Sequence, residues 1–217
     1  MLTETELKPL QTPETHTRPV IGVWLMIVTP NNRLFVVQNL KPKFESQKVP
    51  GQWNAPVETY KPEIDSGSFK QGTISRAIDE EIGSLNYDPS KVKSLCLIQI
   101  KDIGYPVFAA PFLIPVDSKQ DLTYKPNDPD ASNPENGTTP QWVNLDEVTA
   151  AQTLQLGEFQ VPLYRSPMIE IVENIKAIQN RQKIPFVRSV NRTISRELID
   201  YFERKPSSPD SFSTRHL

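Results

Sequence analysis

The segment from Gly67 to Ser84, GSFKQGTISRAIDEEIGS, constrains the fold most, because it combines a helix signature with a chemical one. Ser68 and Gln71 have the spacing of a capping box, and Gly83 stands where a left-handed residue often ends a helix. These signals predict a helix over residues 69–82. Its buried stripe is predicted at three isoleucines in helical register: Ile74, Ile78 and Ile82.

Two neighbouring carboxylates mark one edge of this predicted stripe. At about 100° of rotation per residue, Glu80 and Glu81 share a face with Thr73 and Ala77, whereas Asp79 falls on the far side. Adjacent acids repel each other unless a cation or a basic group lies between them, and carboxylate oxygens suit Mg²⁺ or Mn²⁺. The pattern therefore indicates a metal seat. The alternative is an ordinary solvated acidic face.

Three motifs in a fixed order resemble the Nudix hydrolase family. The segment Arg76–Gly83 (RAIDEEIG) is similar to the second half of the Nudix box, which closes a metal-carrying loop-helix-loop. The segment Gly51–Pro56 (GQWNAP) resembles the Trp-x-x-Pro that leads into the box, and Gln141–Glu147 (QWVNLDE) resembles a common later turn. The resemblance covers residues 19–178. It implies an α/β fold, an α/β/α sandwich with a mixed, curved sheet and the box helix on one face.

The chain departs from the family pattern at several positions. The family's glycine pair falls on Val57 and Glu58, and an early glutamate of the box falls on Ser68. The glutamate after the arginine is replaced by Ala77, a position that binds metal or acts as the base in many family members. If Ala77 shares the face of Glu80, an Ala77→Glu substitution is expected to supply the missing carboxylate.

The resemblance implies hydrolysis of a nucleoside diphosphate linked to another moiety, with Mg²⁺ or Mn²⁺ as cofactor. Glu80, Glu81 and the main-chain carbonyl of Val57 would hold the metal, with Glu81 also counted among the catalytic residues. Arg76 would brace the loop by pairing with a carboxylate. Glu135 would supply the missing base.

Two of these assignments have rivals. Asp128 and Asp130 lie in the same long acidic loop as Glu135 and could take its place, or the loop could be a solvated surface. The nucleobase would stack on one of three aromatic residues, each of which could instead belong to the core: Trp24, Phe44 and Tyr60. A different function is also open, namely a catalytically inactive Nudix-fold module that binds a ligand or another protein.

The composition of the chain excludes several other classes of protein. The chain has 24 basic and 26 acidic residues, so no net field favours nucleic acid or an anionic membrane. A single cysteine, Cys96, excludes an internal disulfide framework. No apolar run has the length of a membrane span, and we expect a soluble, cytoplasmic protein. Its expected partner is a small nucleotide-like substrate, with a homodimer left open.

The chain divides into a flexible arm at 1–18, a Nudix-like domain at 19–179, and a helical extension with a disordered tail at 180–217. Strands are predicted at 20–28, 33–38, 93–100, 107–116 and 142–145. Pro111 indicates a bulge or an edge position in the fourth of these strands. Further helices are predicted at 146–151, 167–179 and 192–203.

Overall fold

A mixed sheet lies at the centre of the structure, a computed structural model that describes residues 19–39, 49–65, 72–101, 106–127, 139–185, 187–190 and Leu198. In chain order its strands are β1 (Val20–Val28), β2 (Arg33–Gln38), β3 (Trp53–Asn54), β4 (Val57–Thr59), β5 (Gly83–Leu85), β6 (Lys93–Ser94), β7 (Leu97–Ile100), β8 (Val107–Pro115), β9 (Leu122–Tyr124), β10 (Gln141–Asn144), β11 (Thr153–Leu156), β12 (Phe159–Pro162) and β13 (Val187–Val190). The sheet runs in the order β10-β2-β1-β8-β7-β13, with β3, β4 and β6 paired to its members. The pairs β5–β9 and β11–β12 form two small separate sheets.

Helices cover both faces of the central sheet. They are α1 (Thr73–Glu81), α2 (Leu145–Thr149) and α3 (Ser166–Gln179). The apolar face of α1 packs in one core with the odd-numbered residues of β1, and α3 packs in a second core on the opposite face. The predicted α/β/α sandwich with a mixed sheet is therefore confirmed. Within the described residues, no helix has the length and the hydropathy needed to cross a bilayer.

The two longest strands, β1 and β8, form a parallel pair in the middle of the sheet. Their register joins Val20 to Val107 and continues without a break to Val28 and Pro115. Both strands are apolar on both faces, which suits a parallel pair covered by helices on each side. The strand predicted at 20–28 is confirmed, and the strand predicted at 107–116 is confirmed apart from its last residue.

Pro111 lies inside the sheet rather than at its edge. It pairs with Trp24 of β1, and on its other side the neighbouring strand is broken between Ser94 of β6 and Leu97 of β7. The Leu95 amide still donates to the Pro111 carbonyl at 3.1 Å. The missing proline N–H is thus accommodated by a break in the partner strand, which is why the single strand predicted at 93–100 is divided.

Helix α1 is shorter than predicted. It begins at Thr73, after Gly72, and the proposed capping box of Ser68 and Gln71 lies outside the described residues. The predicted isoleucine stripe is confirmed, since all three side chains are buried. Gly83 ends the helix with φ of +110°, and a Cβ at this position would collide with the Lys125 carbonyl.

Residues beyond 180 contribute to the fold. Strand β13 extends the sheet by pairing in parallel with β7, and the sequence reasoning missed it. Leu198 is 1% exposed and lies in a small apolar cluster with Val49, Leu156 and Val161. The helix predicted at 192–203 otherwise lies outside the described residues, as does the arm at 1–18. The β11–β12 hairpin was also missed, although its alternation of apolar and polar residues is visible in TLQLGEFQVP.

Candidate functional site

The guanidinium of Arg76 is the centre of a cluster of three carboxylates. From α1 it reaches Glu58 of β4 at 2.7 Å, Asp65 at 2.9 Å and Glu80 at 3.3 Å. It also donates to the main-chain carbonyl of Thr59 at 2.6 Å. These partners raise the pKa of Arg76 further above its ordinary value, hydrogen bonding to Asp65 being the largest cause. The arginine therefore joins the strand, the loop and the helix by charge-assisted hydrogen bonds.

Asp65 fixes the entry of the chain into α1. Its carboxylate accepts hydrogen bonds from the amide of Lys61 and the hydroxyl of Thr73, both at 2.8 Å, as well as from Arg76. A Cβ on Gly72 would lie 2.8 Å from the Asp65 Cα, so this contact requires glycine. Burial alone would raise the pKa of Asp65, but the hydrogen bonds outweigh it and hold the pKa below its ordinary value. Sequence reasoning missed Asp65, because loop spacing does not reveal a partner on the helix.

The side chain of Glu58 projects from β4 toward the side of the sheet that carries α1. Its neighbour Val57 packs on the opposite core, and side chains alternate along a strand. Besides Arg76, Glu58 has Lys61 at 3.6 Å. Burial acts to raise the pKa of Glu58, and the hydrogen bond and charge of Arg76 lower it by more, so the net shift is downward. Glu58, which the resemblance sets against a glycine, thus forms part of the cluster.

Glu80 and Glu81 are directed to different surroundings. Glu80 is 38% exposed and faces Arg76 and Glu58. Burial and then the charge of Glu58 raise its pKa, despite the nearby guanidinium. The charge of Glu81 instead acts on Tyr124, whose pKa is raised mainly by burial and also by this carboxylate. The sequence analysis grouped Glu80 with Glu81 as metal ligands, and the structure adds Glu58 as a carboxylate that acts directly on Glu80.

Ala77, predicted to lie on the same face of α1 as Glu80 and Glu81, is buried in the structure. Ala77 and Thr73 are both completely buried, in the part of α1 that packs on the sheet and against Asp65. The buried surface of α1 extends beyond the three isoleucines, because the loop before the helix covers the neighbouring side of α1, where Thr73 bonds to Asp65. A larger side chain at Ala77 would have to displace the groups that bury this residue.

The main chain of Val57 is oriented away from β1. The Leu25 amide donates to the Pro56 carbonyl at 2.9 Å, and the Tyr60 amide donates to the Ile21 carbonyl at 2.8 Å. Hydrogen-bonded residues alternate along an antiparallel pair, so the intervening Val57 directs its carbonyl to the outer side of β4. That carbonyl is a further oxygen on the strand that carries Glu58.

The remaining predicted residues are not all brought together. Tyr60 is half-buried against the core beneath α1, whereas Trp24 is buried on the opposite face, with the Arg165 guanidinium 4.7 Å from its ring centre. Burial lowers the pKa of Arg165 to about 10. Four other candidates lie outside the described residues: Phe44, Asp128, Asp130 and Glu135. Within the described residues no three His, Cys, Asp or Glu side chains are grouped to hold a metal ion.

Comparison with family models finds no match, and comparison with curated protein sequences finds none either. Solved structures do match. The NUDIX domain of Shewanella oneidensis NrtR, complexed with ADP ribose, is 15% identical with a TM-score of 0.52, over 82% of this chain and 99% of that one. A MutT protein from Methanosarcina mazei Go1 is 14% identical with a TM-score of 0.51, over 78% and 100% of the two chains. The E. coli ORF135 protein is 13% identical with a TM-score of 0.52, over 80% and 100%. The chain therefore has the Nudix fold.

Proposed function

We propose that this chain is a metal-dependent hydrolase that cleaves the diphosphate bond of a nucleoside diphosphate joined to another moiety. The observation that carries the proposal is the meeting of Glu58 and Glu80 around Arg76 at the side of α1, in a chain with the Nudix fold. The substrate class is supported by the NrtR domain, whose structure contains ADP ribose, a molecule of this kind.

The oxygen ligands present fit Mg²⁺ or Mn²⁺. When bound, such an ion would neutralise phosphate oxygens and lower the pKa of the attacking water. Glu58 and Glu80 would supply two carboxylates, and the outward carbonyl of Val57 would supply a third oxygen donor. Mg²⁺ in proteins is commonly held by one or two carboxylates, while waters and substrate phosphates complete its coordination.

Arg76 keeps the carboxylates together without fully neutralising them. Its contacts lower the pKa of Glu58, yet the pKa of Glu80 remains raised by burial and by the charge of Glu58. A divalent cation would relieve this repulsion. We therefore expect metal binding to favour the deprotonated form of Glu80.

Proton removal from the attacking water requires a further group. Glu135, in the segment before β10, stays the predicted general base, with Asp128 and Asp130 as its rivals. Glu81, at the end of α1, is a further candidate for this role. A carboxylate base contributes typically about 10²- to 10⁴-fold to the rate. Glu135→Gln and Glu81→Gln should each lower the hydrolysis rate. The variant that removes the base should show the larger loss.

A second function, a ligand-binding module without hydrolysis, is favoured by one specific observation. The guanidinium of Arg76 already lies among the carboxylates Glu58, Asp65 and Glu80, where it stabilises their charges in the absence of a divalent ion. In this alternative the cluster would serve to hold α1 and the preceding loop in place.

The decisive experiment measures Mn²⁺ binding and turnover on the same proteins. A panel of nucleoside diphosphate derivatives is incubated with Mg²⁺ or Mn²⁺, and Mn²⁺ affinity is measured for Glu80→Gln, for the Glu58→Gln, Glu80→Gln double variant, and for Asp79→Asn as matched control. Asp79 is exposed on the same helix and accepts a hydrogen bond from Asn127. We expect the first two variants to lose both properties and the control to keep them. Equal Mn²⁺ affinity in the double variant and the wild type would refute the metal seat, and metal binding without turnover would favour the module.

A further inference from the structure

One nitrogen of Arg76 lies between the two carboxylates that the proposed function assigns to the metal. Arg76 Nη1 is 2.7 Å from Glu58 Oε1 and 3.3 Å from Glu80 Oε2. A guanidinium nitrogen and a divalent cation stabilise carboxylates in the same way, by placing positive charge against the lone pairs of their oxygens. The place that a metal ion would take is therefore held by a group of the chain itself.

The two sides of the Arg76 guanidinium have different surroundings. Nε and Nη2 donate to the Asp65 carboxylate at 2.9 and 3.0 Å, and Nη2 also donates to the Thr59 carbonyl at 2.6 Å. The Asp65 side chain is 2% exposed, whereas the Glu80 side chain is 38% exposed. The side that faces Asp65 is thus closed to solvent, and the side that carries Nη1 is open to it through Glu80.

This division allows Nη1 to be released while the rest of the group stays in place. A guanidinium is planar and carries five N–H donors in a rigid fork. The contact with Asp65 uses the edge formed by Nε and Nη2, and the Asp65 carboxylate by itself compensates one positive charge. Loss of the contacts to Glu58 and Glu80 therefore does not leave the arginine buried without a partner.

Electrostatic repulsion prevents a metal ion and Nη1 from sharing the same two carboxylates. Whichever oxygen of Glu58 and of Glu80 the ion took, it would lie next to the guanidinium. Like charges about 4 Å apart repel strongly where burial lowers the effective dielectric constant. The side chains of Arg76 and Glu58 are each 12% exposed, so water screens this repulsion little.

A second cation near Glu58 does not compete in the same way. Lys61 Nζ is 3.6 Å from Glu58 Oε1, which is longer than a hydrogen bond, and the Lys61 side chain is 41% exposed. Its ammonium is carried on a flexible four-carbon stem and can move into water. Within the described part of the chain, Arg76 is the cation that contacts both Glu58 and Glu80.

We propose that Arg76 is an internal competitor of the metal ion, which must displace Nη1 from Glu58 and Glu80 in order to bind them. The proposal rests on the proposed function for the identity of the metal ligands, and it adds how their affinity for metal is set. In the metal-free chain Arg76 holds the two carboxylates. In the metal-bound chain it keeps its contacts to Asp65 and the Thr59 carbonyl. The affinity for metal is therefore lower than the same carboxylates would give without the arginine.

The test measures the Mn²⁺ affinity of the full chain by calorimetry, in the wild type and in Arg76→Gln. This substitution removes the charge and keeps a polar side chain, so competition predicts that the variant binds Mn²⁺ about tenfold more tightly or better. An arginine that only positions the carboxylates predicts the opposite sign, because the carboxylates would separate in the variant. Arg33→Gln is the matched control. It removes the same charge from an ion pair with Glu147, outside the cluster, and its Mn²⁺ affinity should equal that of the wild type.

The side-chain NMR signals of Arg76 in the wild type give a second measurement, which decides if Arg76→Gln does not fold. Mg²⁺ is the probe, because it is diamagnetic. Its addition should move the signals of the Nη1 protons, which contact Glu58 and Glu80. The Nε–H signal should stay in place, because Asp65 continues to accept that hydrogen bond.

The outcomes separate this proposal from the proposed function. Equal or weaker Mn²⁺ binding by Arg76→Gln, or Nη1 signals that Mg²⁺ leaves unmoved, would overturn the proposal. Turnover together with either of these results would remove this inference alone. Tighter Mn²⁺ binding by Arg76→Gln, without turnover of any nucleoside diphosphate derivative by the wild type, would remove the proposed hydrolysis and keep the inference.

Discussion

The carboxylate of Asp65 and the guanidinium of Arg76 form a two-point ion pair, with Nε 2.9 Å from Oδ1 and Nη2 3.0 Å from Oδ2. Both side chains are largely buried, so neither charge is well solvated without the other. The pair joins the loop after β4 to the middle of α1. The position of the helix that carries Glu80 therefore depends on this contact.

Asp65→Asn is expected to destabilise the fold by about 1–3 kcal/mol, because the charge-assisted hydrogen bonds of the Asp65 carboxylate to Arg76 and Thr73 are lost or weakened. Glu58 and Glu80 still compensate the charge of Arg76 in this variant. Chemical denaturation measures the loss. Asp79→Asn, which alters an exposed aspartate on α1, should change the free energy of unfolding by no more than about 0.5 kcal/mol. Similar losses in the two variants would contradict a structural role for the pair.

The free energy of unfolding should fall in acid because of Asp65 and Glu58. Both have pKa values below the ordinary 3.8 and 4.5 in the folded chain, so the unfolded chain binds protons first. Their contribution is fully present above those ordinary values and is lost as the pH falls through the lower folded-state values. Unfolding measured from pH 7 down to pH 2 should show a shallower acid decline in Asp65→Asn than in the wild type. An unchanged decline would count against the assignment.

Ala77→Glu should destabilise the chain rather than create a base. Ala77 is fully buried on the side of α1 that packs on the sheet. A carboxylate there would lose its hydration without gaining a partner, at a cost of several kcal/mol. Ser75→Glu adds the same charge at an exposed position of the same helix and serves as control. The melting temperature should fall sharply for the first variant and little for the second. A stable Ala77→Glu protein with new hydrolytic activity would contradict this prediction, because α1 would then have to turn position 77 toward the carboxylate cluster.

Glu58→Gln should lower the pKa of Glu80. The charge of Glu58 is one cause of the raised value, and its removal also leaves Arg76 freer to pair with Glu80. The two effects act in the same direction. Carboxyl ¹³C NMR titration measures the change, with Asp146→Asn, at the start of α2, as a distant control. An unchanged pKa would mean that Glu58 and Glu80 do not interact.

Leu198→Ala should cost about 2–5 kcal/mol, as is typical when a large core side chain is truncated. Leu198 is almost completely buried with Val49 and Val161, which lie far from it in sequence. Leu154→Ala, in the same cluster at a partly exposed position, should cost less. Equal stability of Leu198→Ala and the wild type would indicate that the extension adds nothing to the folded unit.

Patterns within one segment predicted much of the fold. The stripe of α1 and the strands at 20–28 and 33–38 follow from local periodicity, which reports which side of an element is buried. What periodicity cannot report is the partner across space. Asp65 meets Arg76 only because the loop folds back, and β13 is too short and too mixed in character to be recognised before β7 is in place.

The site was only partly predictable for the same reason. Helical geometry correctly separated Asp79 from Glu80, but it could not show that the loop covers the flank holding Thr73 and Ala77. Nor could it show that Glu58, from a different element, would meet Glu80. The departure at Glu58 looked like the loss of a glycine. In the fold it is the gain of a carboxylate.

The parallel pairing of β1 with β8 has a consequence for synthesis. Val20 pairs with Val107, so every residue of the carboxylate cluster lies in the stretch between the two strands. Pairing over such a sequence distance is slow. At about 5–20 residues per second, β1 leaves the ribosome on the order of ten seconds before its longest partner. During that interval a nine-residue apolar strand lacks its central neighbour, and the nascent chain is exposed to aggregation until β8 arrives.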